Sequence, residues 1–169
     1  MTALPSDHDR DLSRRGNVAV VTLSDTRTEH NDSGGDTIVE LTTRSGHLIV
    51  NRLILKEDPV QMKQAIEQLA DDPTVQVILI TGGTGISRRD HTYETIAEML
   101  TRHLPGYGEL FRMLSYQEIG PDAMLSRAQA GLLGQTLLFT MPGSPSAVRL
   151  AMEKLVLPEL GHLLQESQR

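Results

Sequence analysis

Four apolar runs constrain this chain more than any other feature. Asn17–Leu23 (NVAVVTL), Leu48–Leu55 (LIVNRLIL), residues 75–80 (VQVILI) and Thr136–Met141 (TLLFTM) are short and continuous rather than alternating. A strand with one wet face alternates polar with apolar residues, whereas an unbroken run needs cover on both faces. Segments with helical spacing lie between the runs. Residues 36–45 carry Ile38, Val39, Leu41 and Thr42, and Gly46 follows where a glycine commonly ends a helix. Pro59–Asp71 gathers Met62, Ala65, Ile66, Leu69 and Ala70 on one face, and Pro73 blocks its continuation. Residues 92–100, 121–130, 145–157 and 158–165 read as further helices, three of them led by proline. Residues 104–119 are mixed and hold most of the few aromatics. The alternation predicts an α/β fold: a three-layer αβα sandwich with a mainly parallel central sheet.

At 169 residues the chain suits one domain, read as 17–169, behind a flexible N-terminal arm, 1–16. The arm, MTALPSDHDRDLSRRG, is polar and has no apolar core of a secretory signal. There are no cysteines, so disulfides, thiolate metal sites and cysteine nucleophiles are excluded. No apolar run reaches the roughly 18 residues of a membrane span, and a cytoplasmic location is expected. A net charge of −6 argues against general nucleic-acid binding. An anionic ligand would therefore need local arginines and backbone N–H groups.

Ligands of such folds collect at the carboxyl ends of the strands. The exits here are SDTRTEHNDSGG, KEDP, TGGTGISRRD and MPGSPSA. TGGTG lets the backbone approach a ligand, and successive N–H groups in such a turn bind anions. It matches neither the P-loop, since no Gly-Lys pair occurs, nor the dinucleotide fingerprint, since Arg88 stands where a small residue is needed. By itself it could equally be a tight connection. In MPGSPSA, Ser144 can cap a helix led by Pro145, and Gly143 leaves room for an anion. Ser33 with Asp36 resembles a capping box. Asp58 and Asp90 could cap the helices after them. They also stand on one edge of the sheet, where two carboxylates suit Mg²⁺ bridging a polyphosphate and its acceptor. The six histidines show no ligand spacing.

Taken together, TLSDTRTEHNDSGGDTI, LKEDPVQMKQAI, TGGTGISRRDHTYE, LPGYGELFRMLSYQEIGPDAMLSRAQAG and MPGSPSAVRLAMEKLVLPEL resemble the molybdenum-cofactor biosynthesis family of MoaB, Mog and the gephyrin G domain. The resemblance covers almost everything from residue 17 to residue 160, and the GYGELFR–SYQEIG–LSRAQAG stretch is more similar to the MoaB branch. It implies a molybdopterin-binding domain. In active members it implies adenylyl transfer from ATP to molybdopterin with Mg²⁺, and a trimer or a hexamer of trimers. Other molybdenum-cofactor biosynthesis proteins are then candidate partners; nucleic acid and membrane are not.

By the same resemblance Asp58 and Asp90 are the essential, metal-holding acids, and Gly82, Gly83, Thr84 and Gly85 contact molybdopterin or nucleotide phosphate. Substrate-binding positions implied with them are Ser24, Asp25, Ser33, Gly34, Glu109, Ser126, Arg127, Gly143, Ser144 and Pro145. Arg88 or Arg89, the latter preferred, would offset phosphate charge. Tyr93 stands where the family often has proline, and Ser144 where some members have asparagine. The competing reading is a relative that binds molybdopterin without catalysis.

Overall fold

A computed structural model describes residues 11–169; the outer part of the expected arm, 1–10, lies outside the described residues. One six-stranded sheet runs in the order β2-β1-β3-β6-β5-β4. Its strands are β1 (Asn17–Leu23), β2 (Leu48–Leu55), β3 (Val77–Thr81), β4 (Arg102–His103), β5 (Ala130–Leu133) and β6 (Thr136–Met141). The first four in that order are parallel, and β5 and β4 add an antiparallel edge. The helices are α1 (Ser33–Arg44), α2 (Pro59–Asp71), α3 (Thr92–Met99), α4 (Pro105–Ile119), α5 (Pro145–Ala151) and α6 (Leu157–Glu166).

Cover on both faces explains the apolar runs of β1, β3 and β6, whereas β2, at the sheet edge, has no fully buried residue. Val18, Val20, Val77 and Leu79 point to a core closed by Ile38 and Leu41 of α1, Tyr107 and Phe111 of α4, and Leu160 and Leu164 of α6. Ala19, Val21, Ile78 and Ile80 point the other way, onto Met62, Ile66 and Leu69 of α2 and Ile96 of α3. The chain thus leaves β1 over one face to reach β2, then returns over the other face to β3 on β1's far side. The carboxyl ends of β1 and β3 diverge, and a crevice opens between their exits.

Three expectations need correction. The mixed stretch 104–119 is mostly α4, a regular helix over Pro105–Ile119. Residues 121–130 are not a helix: a 3₁₀ turn, Gly120–Leu125, leads into β5. The reason is β6, whose Thr140 donates its N–H to Gln129 O at 2.8 Å and draws the chain into an antiparallel ladder. Residues 33 and 36 do not form a capping box. Asp32 caps α1 and accepts from Gly35 N–H at 3.0 Å.

Residues 145–166 are one helical stretch with a π turn, Met152–Val156, inside it. Pro158 lacks an N–H and would crowd the carbonyl four residues back. The wider turn, with Leu157 N–H donating to Met152 O, makes room for it.

The described part of the expected arm lies on the domain. Asp11 N–H donates to Gln165 Oε1 at 3.3 Å, and Gly16 N–H to Nδ1 of His47 at 3.0 Å. Burial, and then nearby Arg15, hold the His47 imidazole below its ordinary pKa, so the neutral ring is free to accept. Gly161 of α6 lets the segment approach: a Cβ there would stand 2.6 Å from Asp11 O and 3.0 Å from Leu12 O.

Gly161→Ala therefore tests this packing. Alanine is the better helix former by about 1 kcal/mol, so a free segment predicts a higher Tm. The contact predicts a lower Tm and faster amide exchange over residues 11–16.

Candidate functional site

The glycine turn after β3 has an asymmetric hydrogen-bond pattern. Gly82 and Gly83 have φ of 102° and 66°, open to glycine and strained for other residues. All four carbonyls of Gly82–Gly85 are engaged. Thr92 gives its hydroxyl to Gly82 O at 2.9 Å and its N–H to Gly83 O at 3.2 Å. Arg127 gives its N–H to Thr84 O at 2.9 Å and its guanidinium to Gly85 O at 2.9 and 2.6 Å. The N–H groups of Gly83, Thr84 and Gly85, by contrast, meet no acceptor among the described residues. Three consecutive backbone donors without acceptors are the makings of an anion cradle.

Two cavities flank the turn. The first, about 430 Å³, lies at the β1/β3 switch point and is lined by Thr22, Ser24, Arg27, Asp32, Gly34, Glu57, Thr81, Gly82 and Pro145, among others. The second, about 320 Å³, is lined by Thr84, Gly85, Asp90, Phe111, Ser115, Asp122, Leu125 and Ser126. Both share Gly83, Gly143 and Ser144 as a common wall. The first turns of α1 and α5 meet here: a Cβ on Gly34 would stand 2.8 Å from Gly143 O. Ser144 caps α5 by accepting from Ala147 N–H at 3.3 Å. The sequence-predicted Ser24, Gly34, Gly82–Gly85, Asp90, Ser126, Gly143, Ser144 and Pro145 thus converge on one crevice.

Other predicted positions lie elsewhere. Glu109 lines a neighbouring cavity of about 400 Å³. Asp25, Ser33 and Arg89 line neither flanking cavity, and Arg88 and Arg89 are exposed. Arg127 is a brace: beyond Gly85 O it pairs with Glu94 and lies over the Tyr93 ring, 5.1 Å from its centroid. Tyr93, the departure from the family pattern, is therefore the platform for that brace. Asp90 does not cap α3. Its carboxylate accepts from Ser87 N–H at 2.9 Å and closes the turn beneath Gly85.

Asp58 is the N-cap of α2: its carboxylate accepts from Gln61 N–H at 2.8 Å, and it lines neither cavity. The acid that faces the site is its neighbour Glu57. Oε2 of Glu57 is buried without a hydrogen-bond partner, and a Cβ on Gly83 would stand 3.3 Å from it. Burial, then the negative charges of Asp90 and Asp25, push the Glu57 carboxyl above its ordinary pKa. The signal was in the sequence. An aspartate directly before a helix-leading proline is a cap, which leaves Glu57 as the free acid of KEDP. Asp32 was also missed: it is one of several polar residues in the exit SDTRTEHNDSGG, and nothing in the sequence marks it as only 1% exposed at the first cavity.

Residues 19–162 match the family model described as "Probable molybdopterin binding domain". The chain is 44% identical over 165 residues to molybdenum cofactor biosynthesis protein B of Bacillus cereus, covering 97% of this chain and 98% of that one. A crystal structure of molybdenum cofactor biosynthesis protein B superposes with a TM-score of 0.90 at 46% identity, covering 92% of this chain and 98% of the other. The tungsten cofactor synthesizing protein MoaB from Pyrococcus furiosus superposes with a TM-score of 0.84 at 33% identity, covering 92% and 99%.

A carboxyl whose folded pKa is raised stabilises the fold only while protonated, and that contribution is lost as pH rises through the folded value. Glu57→Gln should therefore raise Tm at neutral and alkaline pH. The gain should vanish below the ordinary glutamate value of 4.5, where wild type is protonated too. A Tm at pH 8 equal to or below wild type would contradict a strained Glu57 carboxylate.

Proposed function

The chain belongs to the molybdenum cofactor biosynthesis protein B family, and on that premise we propose that it is an adenylyltransferase acting on molybdopterin and ATP. The observation that carries this reading is the unmet N–H row of Gly83–Gly85, which starts on the wall shared by the two cavities, at Gly83, and runs into the second, at Thr84 and Gly85. A transfer between two phosphorylated substrates needs two sites that meet at one anion cradle, and the crevice has that form.

The reaction would form a bond from an oxygen of molybdopterin's terminal phosphate to the α-phosphorus of ATP. The bond from that phosphorus to the α–β bridging oxygen breaks, and pyrophosphate leaves with the electron pair. An ionised phosphate is already a nucleophile, so no side chain has to abstract a proton. The protein's work is positioning and charge stabilisation. The N–H groups of Gly83, Thr84 and Gly85 would hold the phosphoryl oxygens. The opened first turns of α1 at Gly34 and α5 at Ser144 would add positive helix ends from the two sides.

The donor chemistry fits Mg²⁺. Glu57 Oε2 is buried and unpartnered, and Asp90 lies near enough for its charge to act on it. Among the described residues no group of three or more His, Cys, Asp or Glu could hold a metal. Two carboxylates without a cage suit an ion that takes its other ligands from phosphate and water. Glu57 and Asp90 would hold the ion, which when bound neutralises polyphosphate charge. No described helix is long and apolar enough to cross a membrane, in keeping with a cytoplasmic enzyme.

The homo-oligomer implied by the resemblance gains support from an exposed ridge. Leu110, Met113, Tyr116 and Ile119 recur every three residues along α4, and Met124 and Leu125 extend the patch, all of them exposed. A monomeric protein rarely leaves such a patch bare. Light scattering should give three or six times the chain mass, and a monomer would contradict the assignment.

The assay for the reaction supplies molybdopterin, ATP and Mg²⁺ and measures pyrophosphate and adenylylated molybdopterin. Wild type should form both. Glu57→Gln and Asp90→Asn should each lose at least about 100-fold in rate while still binding molybdopterin. Asp58→Asn should keep turnover, because asparagine is as good a cap. Tight molybdopterin binding without product in wild type would leave a binding protein and end the enzyme reading.

A further inference from the structure

We propose that Arg52, on the edge strand β2, is a positioning residue for the nucleotide at the first cavity; this rests on the adenylyltransferase reading. Arg52 is not among the residues that line that cavity. It stands behind the wall, with one guanidinium nitrogen donating to Asp32 Oδ2 at 2.9 Å and to Asp36 Oδ1 at 2.7 Å. Parallel pairing of β1 with β2 aligns Arg52 with Val20, two residues before Thr22.

Asp32 is the reason the arrangement matters. Its carboxylate is 1% exposed and borders the first cavity, where Glu57 stands and where a cation-bound polyphosphate would therefore sit. It accepts from Thr22 Oγ1 at 2.8 Å and from Gly35 N–H at 3.0 Å. Both are neutral donors and leave its charge uncancelled. A bare buried carboxylate at that wall would repel a phosphate, and the repulsion is strong where water is excluded. Arg52 supplies the cancelling charge without occupying ligand space. The fold leaves no slack around it: a Cβ on Gly35 would stand 2.0 Å from Asp32 Oδ2 and 2.7 Å from Thr22 Oγ1.

The same carboxylate fixes the first turn of α1. Gly34, in that turn, lies against the Gly143 carbonyl and near Thr81 Oγ1, which itself donates to Pro142 O at 2.9 Å. Asp32, held by Arg52, therefore locks the α1 end of the crevice to the α5 end. Asp36, whose side chain is 58% exposed, anchors the guanidinium from the outside.

The test is ATP affinity by calorimetry in the full chain, with Tm recorded alongside. Arg52→Met should weaken ATP binding by about tenfold and leave molybdopterin binding at the wild-type value. Arg52→Lys should recover most of the loss. Asp32→Asn combined with Arg52→Met, which removes the charge to be cancelled and keeps a capping side chain, should recover it as well and serves if the single variant does not fold. A purely structural Arg52 would lower Tm without these recoveries. Wild-type ATP affinity in folded Arg52→Met, or in the double variant no recovery, overturns the proposal. Absence of ATP binding in wild type overturns the adenylyltransferase reading, and the proposal with it.

Discussion

The site depends on the polarity of one backbone turn. In Gly82–Gly85 every carbonyl is tied down from outside, by Thr92 and Arg127, and three N–H groups are left without acceptors at residues that line the crevice. A row of backbone donors without protein acceptors persists only where the surroundings hold the turn in that conformation. Several features of the chain do so. The turn begins where β3 ends between β1 and β6, with Gly82 N–H on Met141 O at 3.0 Å. Thr92, fully buried at the start of α3, closes it from one side. Arg127, lying over the Tyr93 ring, closes it from the other.

The topology makes this turn the meeting point of two cavities. Because α1 and α2 cover opposite faces, the exits of β1 and β3 part, and the exit of β6 brings Gly143 and Ser144 beside them. The crevice also holds more negative charge than an anion site should bear. Asp32 is offset by Arg52, whereas Glu57 is left raised and unpaired beside Asp90. One acid is neutralised within the fold and the other is left available, which is the arrangement expected where a cation arrives with the substrate.

Much of this was legible in the sequence. Continuous apolar runs identified β1, β2, β6 and, displaced by a residue or two, β3, and with them the layered fold and its useful edge. The hairpin edge was not legible. Ala130–Leu133 is four residues of small and aliphatic side chains, and only pairing with β6 makes it a strand. α4 was hard to read because both of its faces are apolar: Tyr107 and Phe111 face the core while Leu110 and Met113 face outward. In the site, the glycine turn, Asp90 and the Ser144 cap were readable from residue type and position. Glu57 carries no sequence signal of its own that separates it from the adjacent Asp58, and Asp32 and Arg52 stand twenty residues apart on a loop and a strand. Only the β1–β2 register joins them.

A crystal structure with a bound non-hydrolysable ATP analogue and Mg²⁺ tests the central claim most directly. The account predicts phosphate oxygens about 2.7–3.2 Å from the N–H groups of Gly83, Thr84 or Gly85, with Glu57 and Asp90 turned toward the cation. A nucleotide bound elsewhere, with those N–H groups facing only water and Asp58 holding the ion, would contradict it.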